Sequence, residues 1–159
     1  MAAEILKLPQ RAARPRRRTV HELTPPVGVR SESGRLLRLV VEVEKDAPGL
    51  ATSYAVRVGP GEIARVRLER LGPDQAWIDW VYVPPGRRDL GLGSQLMRHV
   101  LRDADREGVR LGLEARACAE VSQEALEAWY GRLGFRHTGR RGDFGPVLER
   151  VPVRGQRAA

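Results

Sequence analysis

VYVPPGRRDLGLGSQLMRHV, residues 81–100, changes its hydrophobic period part-way along. Val81 and Val83 alternate with Tyr82 as in a strand. Pro84, Pro85 and Gly86 interrupt it. Beyond Gly93, Leu96, Met97, Val100, Leu101 and Ala104 recur at spacings of three and four, the stripe of an amphipathic helix. Between strand and helix stand Arg87, Arg88, Gly91 and Gly93. Glycines let a backbone approach a ligand closely and adopt positive φ. The first amides of a helix have no partner inside it, and the helix dipole favours an anion there. Two arginines at the same mouth add charge. The stretch supports two readings: a turn that glycine merely shapes, or an anion site with enough converging donors for a pyrophosphate. It lacks the Lys-Ser/Thr of a P-loop and the G-x-G-x-x-G of a dinucleotide fold.

Outward from this stretch the pattern stays legible. Upstream, LLRLVVEVE alternates with Leu37, Leu39, Val41 and Val43 on one face. SYAVRV and EIARVRLERL flank Gly59-Pro60-Gly61, a hairpin signal. After the turn at Gly72-Pro73-Asp74, AWIDWVYV reads as a strand with Trp77, Asp79, Val81 and Val83 on one face. Downstream, Gly108 is a helix stop and VRLGLEA a further strand. Ser122 caps a second helix whose inward stripe is Leu126, Trp129, Tyr130 and Leu133, ended by Gly134. FRHTG and PVLERVPV close the chain as two strands. Strand, helix and strand over 78–115 predict a parallel crossover in a mixed sheet.

The chain has 159 residues, enough for one core. No apolar run is long enough to span a membrane, and the start has no signal-peptide core. The Arg-rich start is like an organelle transit peptide, but its prolines break the helix such a peptide needs. The one cysteine, Cys118, makes no internal disulfide and is compatible with a cytoplasmic protein. Net charge is +8, and residues 1–35 hold eight Lys/Arg against three Glu. Rich in turn formers, residues 1–35 read as a basic, loosely ordered arm, and 36–159 as the folded domain. Such an arm attracts polyanions, but around residues 7–18 it lacks the interleaved aromatics that stack bases, so nucleic acid is the lesser expectation.

Arg88-x-x-Gly91-x-Gly93 resembles the Q/R-x-x-G-x-G/A motif of the GNAT acyltransferase superfamily, which likewise follows a strand and opens a long helix. ALEAWYGRLGF, Ala125 to Phe135, is similar to that family's helix ending in Y-x-x-x-G-F. The resemblance covers residues 36–153, most strongly 76–137. It implies an α/β fold with a mixed, mostly antiparallel sheet and a strand–helix–strand crossover that binds acetyl-CoA. It implies pyrophosphate binding along Arg87, Arg88, Asp89, Leu90, Gly91, Leu92, Gly93 and Ser94. Backbone groups of Val81, Tyr82 and Val83 would hold the pantetheine arm and thioester carbonyl. Tyr130 matches the tyrosine that protonates the leaving thiolate, and Gln123 stands where members often place a CoA-contacting Asn. The implied reaction is direct acetyl transfer to a primary amine. The base is less determined: Asp79, an acid flanked by Trp77, Ile78 and Trp80, is the leading candidate, with Glu114 behind it. No metal is expected, Cys118 is not expected to carry an acyl group, and the protein is expected to be a monomer or homodimer. Members carry two helices between their first two strands, and these roof the acceptor site. Here LLRLVVEVE leads almost at once to SYAVRV. The alternative reading is a non-catalytic module of the same fold, sensing CoA or tethered to nucleic acid.

Overall fold

The computed structural model describes residues 17–23, 28–30, 32–46, 49–85, 91–118 and 120–154. Among the described residues, ten strands and two helices follow in the order β1 (Arg17–Glu22), β2 (Gly28–Arg30), β3 (Leu36–Arg38), β4 (Val40–Lys45), β5 (Ala51–Val58), β6 (Gly61–Gly72), β7 (Gln75–Tyr82), α1 (Leu92–Glu107), β8 (Arg110–Glu114), α2 (Gln123–Arg132), β9 (Arg136–Arg141) and β10 (Pro146–Arg150). Eight strands form one sheet in the order β1-β4-β5-β6-β7-β8-β10-β9, and β2 and β3 pair separately. The sheet is antiparallel except where β8 runs parallel to β7. That is the predicted mixed sheet with its crossover through α1. Among the described residues no helix is long and apolar enough to cross a membrane.

The core lies between the sheet and the helices. Val41, Val43, Val56, Val66, Leu68 and Ile78 from the strands meet Leu96, Met97, Val100, Leu101 and Ala104 of α1 and Tyr130 of α2 in one buried cluster. Their burial follows from the two periods read above, two along the strands and 3.6 along α1. α1 starts at Gly91 (φ 73°) and stops at Gly108 (φ 70°), both left-handed. Ser122 caps α2 by accepting from the Ala125 amide at 3.1 Å. Arg150 ties the layers together. It is buried, grips Asp105 of α1 with two hydrogen bonds of 2.7 and 2.9 Å, and donates to the Leu133 carbonyl after α2.

Three readings from the sequence are corrected. Residues 17–22 are not loosely ordered: β1 pairs with β4 from Arg17↔Lys45 to Glu22↔Val40. Its side chains are all exposed, so no hydrophobic alternation announces it; backbone pairing and the buried Leu23 that follows hold it. LLRLVVEVE is not one strand but β3 and β4, parted at Leu39, although Leu39, Val41 and Val43 are buried as their alternation predicts. Finally, Trp77, Asp79, Val81 and Val83 do not share a face. Arg67 pairs with Trp80 and Leu68 with Ile78, which leaves Asp79 as an extra residue in β7. One inserted residue reverses the parity of a strand. Ile78, Val81 and Val83 therefore lie on the core side, and Trp77, Trp80 and Tyr82 on the other.

Candidate active site

β7 and β8 stay in register from Gln75↔Arg110 to Ile78↔Leu113 and then separate. The bulge at Asp79 sits where pairing stops, and β7 runs on while β8 ends at Glu114. A cleft of ≈ 790 Å³ opens between them, within the usual size for a small-molecule site. Its walls bring together Asp79, Val81, Tyr82, Val83, Gly91, Gly93, Ser94 and Tyr130. Residues more than fifty apart in sequence thus meet at one opening.

At one end of the cleft, α1 begins. Gly91 makes no side-chain cap, and no acid stands in the first turn. The leading amides of α1 keep the donor capacity that an anion needs, and no acid within the first turn competes for them. At Gly93 the space for a side chain is tight. A Cβ there would lie 3.3 Å from Val83 Cγ2 and 3.6 Å from the Trp129 ring. The Trp129 indole also donates to Ser94 Oγ at 2.9 Å, so α2 is pinned to the mouth of α1. Ser94's hydroxyl is thereby engaged, leaving its backbone amide for a ligand. Leu92 is buried in the core. Arg87, Arg88, Asp89 and Leu90 lie outside the described residues.

Tyr130 is buried, with ring centroids 4.8 Å from Trp129 and 5.6 Å from Phe135. Burial pushes its phenol up to about 12, so it carries its proton throughout the neutral range. Asp79 lies near the surface with Oδ2 3.4 Å from Arg67 Nε. Partial burial and the nearby Glu69 raise its proton affinity above that of an ordinary aspartate, and Arg67 opposes them. The cleft thus holds a protonated acid on one wall and a carboxylate of raised basicity on another.

The other candidates are otherwise employed. Gln123 does not line the cleft: its amide donates to the Ala115 carbonyl at 2.9 Å and to Glu127 at 2.6 Å, and its Oε1 accepts from Ala117 at 3.1 Å. It fastens the join after β8 to α2. Glu114 lines the cleft, but its carboxylate accepts from the Phe144 and Gly145 amides and clips down the β9–β10 turn. Exposed Cys118 also lines it, as do Arg116 and Phe144, where the guanidinium stands 4.6 Å from the ring centroid. No local pattern announces the Trp129–Ser94 and Arg116–Phe144 contacts, because the partners are far apart along the chain.

The acetyltransferase (GNAT) domain profile matches residues 50–137, more than half of the chain. No curated protein sequence matches. Among the many solved structures that share the fold are three acetyltransferases. PaiA N-acetyltransferase from Thermoplasma acidophilum, in complex with coenzyme A, is 12% identical with a TM-score of 0.56, over 66% of this chain and 63% of that one. A GNAT family acetyltransferase from Elizabethkingia anophelis with acetyl-CoA bound is 15% identical with a TM-score of 0.52, over 64% and 76%. The ribosomal-protein-S18-alanine N-acetyltransferase of Escherichia coli is 21% identical with a TM-score of 0.54, over 69% and 75%. The chain spans just under two thirds of the first and about three quarters of the others. With a profile match across the splayed strands, the glycine-capped helix and the tyrosine helix, this chain belongs to the GNAT acetyltransferase family.

Proposed function

We propose that this protein transfers an acetyl group from acetyl-CoA to a primary amine by direct attack. The observation that carries the reading is the uncapped, acid-free start of α1, opening into the same cleft as Tyr130 and Asp79. The amides of Gly91 to Ser94 receive the pyrophosphate, with Arg87 to Leu90 completing the loop. Backbone groups of Val81, Tyr82 and Val83 align the pantetheine arm, and the β7–β8 ladder ends before them at Ile78↔Leu113. The CoA and acetyl-CoA bound in two of the similar structures support this choice of donor.

The acceptor reaches the cleft as an ammonium and must lose a proton before attack. Asp79 takes it, directly or through one water. The amine lone pair then forms the C–N bond at the thioester carbonyl and the C–S bond breaks. Tyr130 delivers its proton to the departing thiolate, the acetylated nitrogen sheds its second proton to solvent to leave the neutral amide, and solvent returns a proton to Tyr130 and takes one from Asp79. A phenol kept protonated by burial suits that role.

Thiol release from acetyl-CoA, measured with a panel of primary amines, tests the reading. Gly93→Glu is the control. It puts a bulky anion against Val83 and Trp129 in the phosphate path, and calorimetry should show at least a tenfold loss of acetyl-CoA affinity. A folded Glu variant with unchanged affinity would remove the loop from the site. Acetyl-CoA binding without thiol release to any amine would leave the non-catalytic module as the better reading.

A further inference from the structure

The face of the sheet opposite the helices carries its own ordered rows. Strand register aligns Glu42, Ala55, Arg65 and Tyr82 across β4 to β7, then Glu44, Ser53, Arg67 and Trp80, then Ala51, Glu69 and Trp77. No described helix covers them. Along β7 the bulge at Asp79 turns Trp77, Trp80 and Tyr82 to this face together. Trp77 lies against Gly112 of β8, where a Cβ would meet its ring at 2.8 Å. Trp80 and Tyr82 are 44% and 48% exposed, with ring centroids 6.1 Å apart and edge to face. All three line the cleft that holds Tyr130, so this face and the cleft are continuous.

We propose that this row is the acceptor-docking surface and that the acceptor is a polypeptide presenting a charged primary amine. The inference rests on the acetyltransferase reading above and names its substrate class. Size is the first argument. From Trp77 to Tyr82 the platform runs about 16 Å at ~3.3 Å per residue, the span of four or five extended residues and longer than a simple amine. A small ligand draws its affinity from near-complete enclosure, whereas a row of half-exposed rings that no described helix covers gains it from area. Aromatic side chains of this kind are enriched where proteins meet. Charge is the second argument. In a chain of net charge +8, two carboxylates beside these rings, Asp79 and Glu69, share one guanidinium, Arg67, at 3.4 and 3.9 Å. Arg65 is matched by Glu62 at 2.7 Å. An excess negative charge flanked by aromatic faces suits an ammonium, which is drawn to both. Trp80 would hold the residues next to the amine, with the amine itself directed past Asp79 into the cleft.

The test compares a randomised decapeptide library with free amino termini against n-butylamine, each with acetyl-CoA and intact-mass readout. The peptides should be acetylated with the higher kcat/KM. Trp80→Ala should lower the peptide-to-butylamine ratio of kcat/KM at least tenfold, mainly through KM for the peptide, and Trp80→Phe should recover most of it. An unchanged ratio in a folded Trp80→Ala variant, or no transfer to the library, overturns the proposal. Calorimetry separates the two layers: bound acetyl-CoA with an unchanged ratio overturns the docking surface alone, and no acetyl-CoA binding overturns the transferase reading as well.

Discussion

Tyr130→Phe deletes one oxygen from the cleft and keeps the ring. The contacts with Trp129 and Phe135, at 4.8 and 5.6 Å between centroids, belong to the ring and survive. Burial alone raises the phenol, with no charged partner contributing, so the change strands no buried charge. Folding stability should therefore move by about 1 kcal/mol or less. Turnover should not be spared. Loss of a positioned general acid costs about 100-fold, equal to about 2.7 kcal/mol of transition-state stabilisation. The acetyl-CoA dissociation constant should change far less, because the proton is given only as the C–S bond breaks. pH adds an independent readout. The phenol stays protonated until about pH 12, so ionisation of Tyr130 should cause no fall in wild-type rate across the neutral and mildly alkaline range. On the acid side the rate should fall as Asp79 protonates, at a pH raised from that of an ordinary aspartate. Stopped-flow thiol detection with an acceptor for which chemistry limits the rate provides the assay. Wild-type turnover in the Phe variant would remove Tyr130 from proton transfer, and equal losses in binding and turnover would make it a structural tyrosine.

Two further predictions concern the scaffold. Arg150→Ala leaves Asp105 and the Leu133 carbonyl without their shared donor in a part-buried setting, and it should cost about 3 kcal/mol; denaturant unfolding followed by circular dichroism measures it, and a loss below about 1 kcal/mol would refute the role as a tie. His99 of α1 packs against His21 of β1 at 5.1 Å and Tyr54 of β5 at 6.1 Å between ring centroids. Burial first, then His21, Arg102 and Arg106, lowers its proton affinity against the pull of Asp103. Its stabilising contribution should thus be complete above about pH 6.5 and be lost as pH falls through the depressed folded-state value. Melting temperature recorded from pH 8 to pH 5 should drop less steeply in His99→Gln than in wild type; parallel curves would exclude His99.

Much of this architecture was written locally. The glycines around α1, the serine before α2 and the alternation of Leu39, Val41 and Val43 act through neighbours in the chain or through a face of one element, so period and spacing reveal them. The family motifs at Arg88–Gly93 and Tyr130–Phe135 are legible for the same reason. Other features arise only when distant segments meet. β1 is a strand because β4 offers an unpaired edge, and its exposed side chains hold no trace of that. The bulge at Asp79 exists in the pairing of β7 with β6, yet it decides that Val81 points to the core and Trp80 away from it; one residue of register reverses every side chain beyond it. Gln123 looked like a ligand contact until the fold set the join after β8 within its reach. Local pattern alone sufficed for α1, α2 and the strands that carry alternating core residues, and it marked the glycine turn ahead of α1, because those features depend on local geometry. Which side chains face the cleft and which are spent holding it open emerges from the folded sheet, because that depends on strand register and on partners tens of residues away.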